Sequence, residues 1–125
     1  MNGLTILSIC IGASLGALVR WRLGVVFNHI FPSIPLGTLC ANIIGGFLIG
    51  IFMAINRNHA FISETARLTI VTGFLGGLTT FSTFSAETVT LFSHQEYIMA
   101  SLIIVSHLAG SLIATILGIY TVKLF

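Results

Sequence analysis

The chain of 125 residues is too apolar for an ordinary soluble domain: hydrophobic residues make up 56%, charged residues 6%, and the mean hydropathy is +1.10. A soluble domain of this length carries far more surface charge, so the composition predicts an integral membrane protein. The net charge of +2 is small and scattered, which excludes a nucleic-acid-binding protein.

Four predominantly apolar segments are long enough to cross a bilayer. We expect membrane helices at about residues 4–28, 36–55, 66–92 and 97–122 of a single membrane domain, 1–125. The connection at 31–35 contains two prolines, which disfavour helix at the residues before them. The connections Asn56–His59 and Ser93–Glu96 are polar. The predicted fold is an all-α integral membrane protein with four transmembrane helices.

The third segment contains the run GFLGGLTTFSTFS, residues 73–85. Gly76 and Gly77 carry a large backbone entropy cost in a helix, and the Thr and Ser side chains that follow compete for backbone hydrogen bonds. We therefore predict that the third helix is broken at 76–80. Because lipid offers no hydrogen-bond partners, such a break must face protein or a watery cavity.

Flanking charge predicts the assembly. Four crossings put both termini on one side, which then carries Arg57, Arg67 and Lys123, against Arg20 and Arg22 on the other. The excess of positive charge that normally orients a membrane protein is nearly absent. We therefore predict insertion in both orientations and an antiparallel homodimer, which would also enclose the polar groups that a thin four-helix bundle leaves uncovered.

Backbone carbonyls at the predicted break are candidate cation ligands. If the carbonyls of Gly76 to Thr79 lose their helical partners, they become hard oxygen ligands, which suit a hard cation. Two carbonyls from each chain on a two-fold axis would give four ligands without a carboxylate, which favours a monovalent ion over Ca²⁺. The alternative is that a neighbouring helix or water pairs with these carbonyls.

Polar side chains inside the spans are candidate site residues because lipid makes each of them costly. His107, Ser111 and Thr115 recur every four residues and so form one stripe along a helix face. Asn42 is the strongly polar residue of the second segment. The alternatives stay open: hydroxyls can bond the carbonyl four residues earlier, His107 can pack against a neighbour, and Asn42 can join two helices.

An aromatic pair lies in the second half of the third segment. Phe81 and Phe84 share a helix face, next to the hydroxyls of Ser82, Thr83 and Ser85. Aromatic edges carry positive potential, so rings presented edge-on could line an anion path. The alternative is that the two rings belong to the core.

Two charged residues lie near predicted membrane boundaries. Arg20 could draw anions into a vestibule, or its side chain could extend to the lipid headgroups. Glu87 could lie at the mouth of a pore, or simply at the surface. The sequence contains no nucleotide-binding loop, no metal-ligand spacing among its histidines and no nucleophile motif, so we predict no enzyme.

The run 73–85 closely resembles the Fluc (CrcB) family of bacterial fluoride channels, and the similarity extends over essentially the whole chain. It includes Gly16-Ala17 with Arg20, and Gly37-Thr38-Leu39 followed by Asn42 and Gly45. The resemblance implies a dual-topology, antiparallel homodimer in the bacterial inner membrane. It also implies two fluoride pores that export F⁻ passively from the cytoplasm, and a structural Na⁺ held centrally between the broken third helices.

The resemblance also implies roles for individual residues. Along the pore, it implies an aromatic box of Phe81 and Phe84, a pore-facing amide of Asn42, and a polar track of His107, Ser111 and Thr115. It places the hydroxyls of Ser82, Ser85 and Thr83 near the pore or the ion, and it assigns sodium ligation to the carbonyls of Gly76 and Thr79. Arg20 and Glu87 would lie in the vestibule.

Two alternatives belong to other classes. A small multidrug exporter would need a buried acidic residue in the first segment, which has none before Arg20. The other alternative is a structural subunit without transport of its own.

Overall fold

The computed structural model describes residues 2–58 and 62–125, and it is helical in all of its regular elements. The helices are α1 (Gly3–Phe27), α2 (Leu36–Asn58), α3 (Glu64–Leu68), a π-helical segment (Thr69–Leu75), α4 (Gly76–Leu78), α5 (Phe81–Ser93) and α6 (Tyr97–Leu124). Four spans are long and apolar enough to cross a membrane: Gly3–Phe27, Leu36–Arg57, Glu64–Ser93 and Tyr97–Leu124. The predicted all-α fold with four such spans is confirmed. The predicted polar connection includes His59, which lies outside the described residues.

The spans pack as two main pairs, and glycines at the crossings allow the helices of each pair to approach closely. α1 packs against the π-helical segment and α4, and α2 packs along α6. At Gly16 an added Cβ would collide with the carbonyl oxygen of Phe74, and at Gly50 it would collide with that of Thr115. Small residues at these crossings let the backbones approach closely, as is usual between membrane helices.

The third span is the irregular one. Its first half winds as a π-helix over Thr69–Leu75 and continues as an α-helix through Leu78. Thr79 (φ −85°, ψ 155°) and Thr80 (φ −150°, ψ 124°) are extended, and helix resumes at Phe81. The extended backbone is thus narrower than the predicted range of 76–80. Gly77 stays helical against α1, where a Cβ would collide with the carbonyl of Ala13.

Side chains fix the ends of the helices. Asn28 Oδ1 accepts the N–H of Gly37 (2.8 Å) and so closes the turn between α1 and α2. Ser63 accepts the N–H of Ala66 (3.2 Å) at the start of α3. The hydroxyl of Thr5 lies 3.0 Å from that of Thr65, so a polar contact joins α1 to the start of the third span.

The glycine contacts predict the effect of a single methyl group. We expect Gly16→Ala and Gly50→Ala each to lower the thermal unfolding midpoint in detergent, because overpacking costs about 1–3 kcal/mol. Gly3→Ala is the matched control, since nothing lies within 4 Å of a Cβ there. A Gly16→Ala chain as stable as the control would contradict the close packing of α1 on the third span.

Candidate functional site

The amide of Asn42 pairs with both backbone polar groups of Thr80. The N–H of Thr80 donates to Asn42 Oδ1 (2.8 Å), and Asn42 Nδ2 donates to the carbonyl of Thr80 (3.0 Å). In a continuous helix that N–H would instead bond the carbonyl of Gly76. The Asn42 side chain, on α2, therefore supplies the hydrogen-bond partners that lipid cannot offer to the extended backbone.

An aromatic and imidazole cluster lies beside this pair. The Phe81 and Phe84 rings meet edge to face, with centroids 5.4 Å apart and planes at 65°. The ring of His107 lies 4.7 Å from that of Phe84, with planes at 31°. Asn42 Nδ2 is 2.9 Å from His107 Nδ1, so the amide links the extended backbone to the imidazole. Phe81 is 72% exposed, whereas Phe84 and His107 are buried.

A cavity of about 490 Å³ brings most of the predicted site residues together. It is bounded by α2, the third span and α6. Of the residues predicted for the anion path or the cation, the following line it: Asn42, Gly76, Thr79, Phe81, Phe84, His107 and Ser111. Its walls are otherwise largely apolar, which is typical of a binding site with a few converging polar groups.

Three other predicted hydroxyl residues, Thr115, Ser82 and Ser85, do not line this cavity. The Thr115 hydroxyl donates to the carbonyl of Ser111 (3.0 Å), which is the local alternative considered for that residue. Ser82 is exposed, and its hydroxyl lies 3.3 Å from that of Thr80. Ser85 is half-buried. The structure therefore places Ser111 in the cavity wall and the other three outside it.

A second cavity of about 450 Å³ lies on the α1 side of the extended residues. Its polar lining includes Arg20, Asn28, Thr38, Thr80 and Thr83. Arg20 Nε donates to the carbonyl of Gly77 (3.0 Å), so part of the guanidinium is held against the third span. Neither reading of Arg20 from the sequence anticipated this bond. Because Thr80 lines both cavities, the extended backbone forms part of the wall between them.

Glu87 lies inside the bundle with only one of its two oxygens paired. The hydroxyl of Thr38 donates to Glu87 Oε1 (2.7 Å). Oε2 is buried and has no hydrogen-bond partner among the described residues. The residue as a whole is half-buried, with this one oxygen turned away from solvent. Thr38 precedes Asn42 by one helical turn, so both residues use the same face of α2 to hold the third span.

The groups near the extended residues that could hold a cation are backbone carbonyl oxygens. The described residues contain no cluster of three or more His, Cys, Asp or Glu side chains. The carbonyl of Gly76 has lost the N–H of Thr80 to Asn42. The carbonyl of Thr79 leaves the helical direction because its residue is extended, whereas that of Gly77 is already bonded to Arg20. These groups fit a hard monovalent cation better than a transition metal.

Two residues at the centre of these contacts were missed as site residues. Thr80 joins Asn42, caps α5 by accepting the N–H of Thr83 (3.1 Å), and lines both cavities. Thr38 holds Glu87. The capping preference of Thr at a helix start and the one-turn spacing from Thr38 to Asn42 are the signals that could have found them.

Comparison with known proteins identifies the family. The profile described as "CrcB-like protein, Camphor Resistance (CrcB)" matches residues 7–119. The chain belongs to this family. The family resemblance found in the sequence is thereby confirmed.

Similar proteins share nearly the whole chain. A fluoride-specific ion channel FluC from Nitrosospira multiformis is 57% identical over 112 residues, covering 90% of this chain and 88% of that protein. One from Ralstonia pickettii is 46% identical over 125 residues, covering 100% and 99%. One from Thiobacillus denitrificans is 51% identical over 117 residues, covering 94% of each. Because the family is one of channels, the prediction that the chain is not an enzyme is confirmed.

The Asn42 contacts predict a loss of stability on truncation. Asn42→Ala leaves the N–H and carbonyl of Thr80 without these partners, at a cost of about 1–3 kcal/mol for each buried group. We expect a clearly lower unfolding midpoint in detergent. Asn56→Ala, at an exposed position on the same helix, is the matched control. Equal midpoints for the two variants would contradict the role of Asn42 in holding the extended backbone.

Proposed function

We propose that the chain is a fluoride channel in which the anion passes along the 490 Å³ cavity. One observation carries the proposal: in a chain that belongs to this family, the aromatic pair, the amide, the imidazole and Ser111 line a single cavity. The relatives named as fluoride-specific channels align over nearly its full length. The names of these relatives are the source of the ion's identity.

The lining suits a small anion that must shed water. Fluoride is a strong hydrogen-bond acceptor that is costly to dehydrate, so it needs donors or positive edges along its whole path. The edge-to-face arrangement of Phe81 and Phe84 offers ring hydrogens without a fixed charge. A full positive charge would hold the ion too tightly for conduction, because an ion must leave its sites as well as enter them.

An antiparallel homodimer accounts for the face that one chain leaves open. Phe81 is 72% exposed and Ser82 is also exposed, although both lie within a membrane span. Lipid is a poor neighbour for Ser82 and the adjacent Thr80, whereas a second third span would cover them. Two chains related by a two-fold axis in the membrane plane would form two parallel pores, in keeping with the nearly equal flanking charge.

A central Na⁺ fits the same arrangement. In the proposed dimer, the carbonyls of Gly76 and Thr79 from both chains would meet near the axis and supply four hard oxygens. The carbonyl of Gly76 is free because the N–H of Thr80 donates to Asn42 instead, and the carbonyl of Thr79 belongs to the extended backbone. Thr83 lines the neighbouring cavity and is a further candidate ligand through its hydroxyl. The ion would be structural, since it joins chains rather than crossing the membrane.

The direction of transport follows from acid–base chemistry. HF crosses membranes as a neutral molecule, ionises in the less acidic cytoplasm and is trapped there as F⁻. A passive channel in the bacterial inner membrane would return F⁻ to the outside, driven in part by the negative interior. The function would be protection of the cytoplasm against fluoride.

Flux measurements test the path. In proteoliposomes monitored with a fluoride electrode, we expect the wild-type chain to release fluoride without a proton gradient. Phe81→Ile and Phe84→Ile should each slow this release by about ten-fold or more, because loss of one favourable contact worth about 1.4 kcal/mol is already ten-fold. Phe92→Ile, near the end of α5, is the control. Wild-type rates in both pore variants would remove the rings from the path, and proton-coupled cation transport would indicate the exporter class.

Labelling tests the topology. In a Cys10→Ala, Cys40→Ala background, a single Phe125→Cys at the exposed C-terminus reports the orientation of each copy. We expect a membrane-impermeant maleimide to label about half of the copies in intact cells, because flanking charge does not orient the chain. Permeabilised cells should show complete labelling. All copies labelled, or none, before permeabilisation would exclude dual topology.

A further inference from the structure

We propose that Asn42 is a positioning residue, which fixes the proton of neutral His107 on Nε2 so that this N–H serves the passing anion as a hydrogen-bond donor. The inference rests on the proposed anion path. It assigns to His107 the unpaired hydrogen-bond donor of this cluster, and to Asn42 the placement of the proton on that donor.

The orientation of the Asn42 amide follows from the backbone that it contacts. A backbone N–H can only donate and a carbonyl can only accept. The N–H of Thr80 therefore requires Oδ1 at 2.8 Å, and the carbonyl of Thr80 requires Nδ2 at 3.0 Å. The amide cannot be flipped without two repulsive contacts. Nδ2, a pure donor, is thus the atom that faces His107.

The tautomer of His107 follows in turn. Nδ2 lies 2.9 Å from His107 Nδ1, and only an unprotonated Nδ1 can accept from it. The neutral imidazole must then carry its proton on Nε2. The extended backbone of Thr80 therefore orients the Asn42 amide, and the amide in turn determines which ring nitrogen of His107 carries the proton.

The Nε2–H is left without an acceptor. Nε2 is buried and has no partner among the described residues, and the His107 side chain is only 4% exposed. An unpaired buried donor is costly unless something else accepts from it. The ring lines the 490 Å³ cavity and packs on Phe84, so this unpaired donor belongs to a side chain that borders the proposed anion path.

The amide itself has no donor to spare. One N–H of Nδ2 is directed at the Thr80 carbonyl and the other at His107 Nδ1. An anion bound to Nδ2 would have to break one of these contacts. The donor available without such a loss is the one on His107.

Nitrogen NMR tests the tautomer without measuring transport. The full chain, labelled with ¹⁵N-histidine and held in lipid nanodiscs, gives separate signals for protonated and unprotonated ring nitrogens. His94 is an internal reference of the opposite kind, because its Nδ1 lies 2.7 Å from the carbonyl of Thr90 and must donate. We expect His107 to be protonated at Nε2 and His94 at Nδ1, with His107→Phe identifying the signals.

Asn42→Asp tests the control of the tautomer. A carboxylate oxygen facing Nδ1 is an acceptor, so we expect Nδ1 of His107 to carry a proton in this variant, whereas it carries none in the wild type. Addition of sodium fluoride, but not sodium gluconate, should shift the Nε2–H signal of the wild-type chain and leave that of His94 unchanged. A protonated Nδ1 in the wild type, or no response of Nε2–H to fluoride, would overturn the proposal.

Flux provides a second test that does not depend on the folding of Asn42→Asp. His107→Phe keeps a ring against Phe84 but removes the donor, and we expect fluoride release to fall by about ten-fold or more, since hydrogen bonds to charged groups are strong. His94→Phe, at the exposed end of α5, should retain the wild-type rate. Wild-type flux in His107→Phe would overturn the inference alone. Absence of fluoride release from the wild-type chain would instead overturn the proposed function.

Discussion

The structure depends on one constraint: two extended residues lie within a membrane span, where lipid cannot pair their backbone groups. A side chain of α2 supplies the missing hydrogen-bond partners. The amide of Asn42 matches the donor and the acceptor of Thr80, which is 38 residues away in sequence. This pairing lets the third span depart from α-helix without leaving those groups unpaired, and it fixes α2 against the start of α5. Asn42 and Thr80, the two residues of this contact, both line the 490 Å³ cavity.

Close backbone packing makes such side-chain pairing possible. Gly16 lets α1 approach the third span, and Gly50 lets α2 approach α6, so short polar side chains can reach across the crossings. The same proximity allows Arg20 to bond the carbonyl of Gly77 and Thr38 to bond Glu87. Each of these contacts joins the third span to a neighbour. The irregular span is therefore held from both sides, at both of its halves.

Two buried polar atoms, Glu87 Oε2 and His107 Nε2, have no hydrogen-bond partner among the described residues. Both belong to side chains whose other polar atom is held by α2, through Thr38 and Asn42 respectively. A fixed side chain with one free polar atom is prepared for a ligand, because the entropy of ordering it has already been spent. In the proposed channel, the ligand of the His107 Nε2–H is the anion, whereas Glu87 Oε2 is an acceptor and requires a hydrogen-bond donor.

The sequence by itself determined the class of protein, the four spans, the irregular third span as the place of interest, and the family. These follow from hydropathy, glycine entropy and a run of 13 local residues, all of which act along the chain. It also selected seven of the fifteen residues that line the cavity of about 490 Å³. Only the tertiary structure decided which partner each polar group takes: Thr80 for Asn42, Gly77 for Arg20, Thr38 for Glu87. Such pairs join residues from 38 to 57 positions apart, and no local pattern specifies them because they form only after the helices have packed.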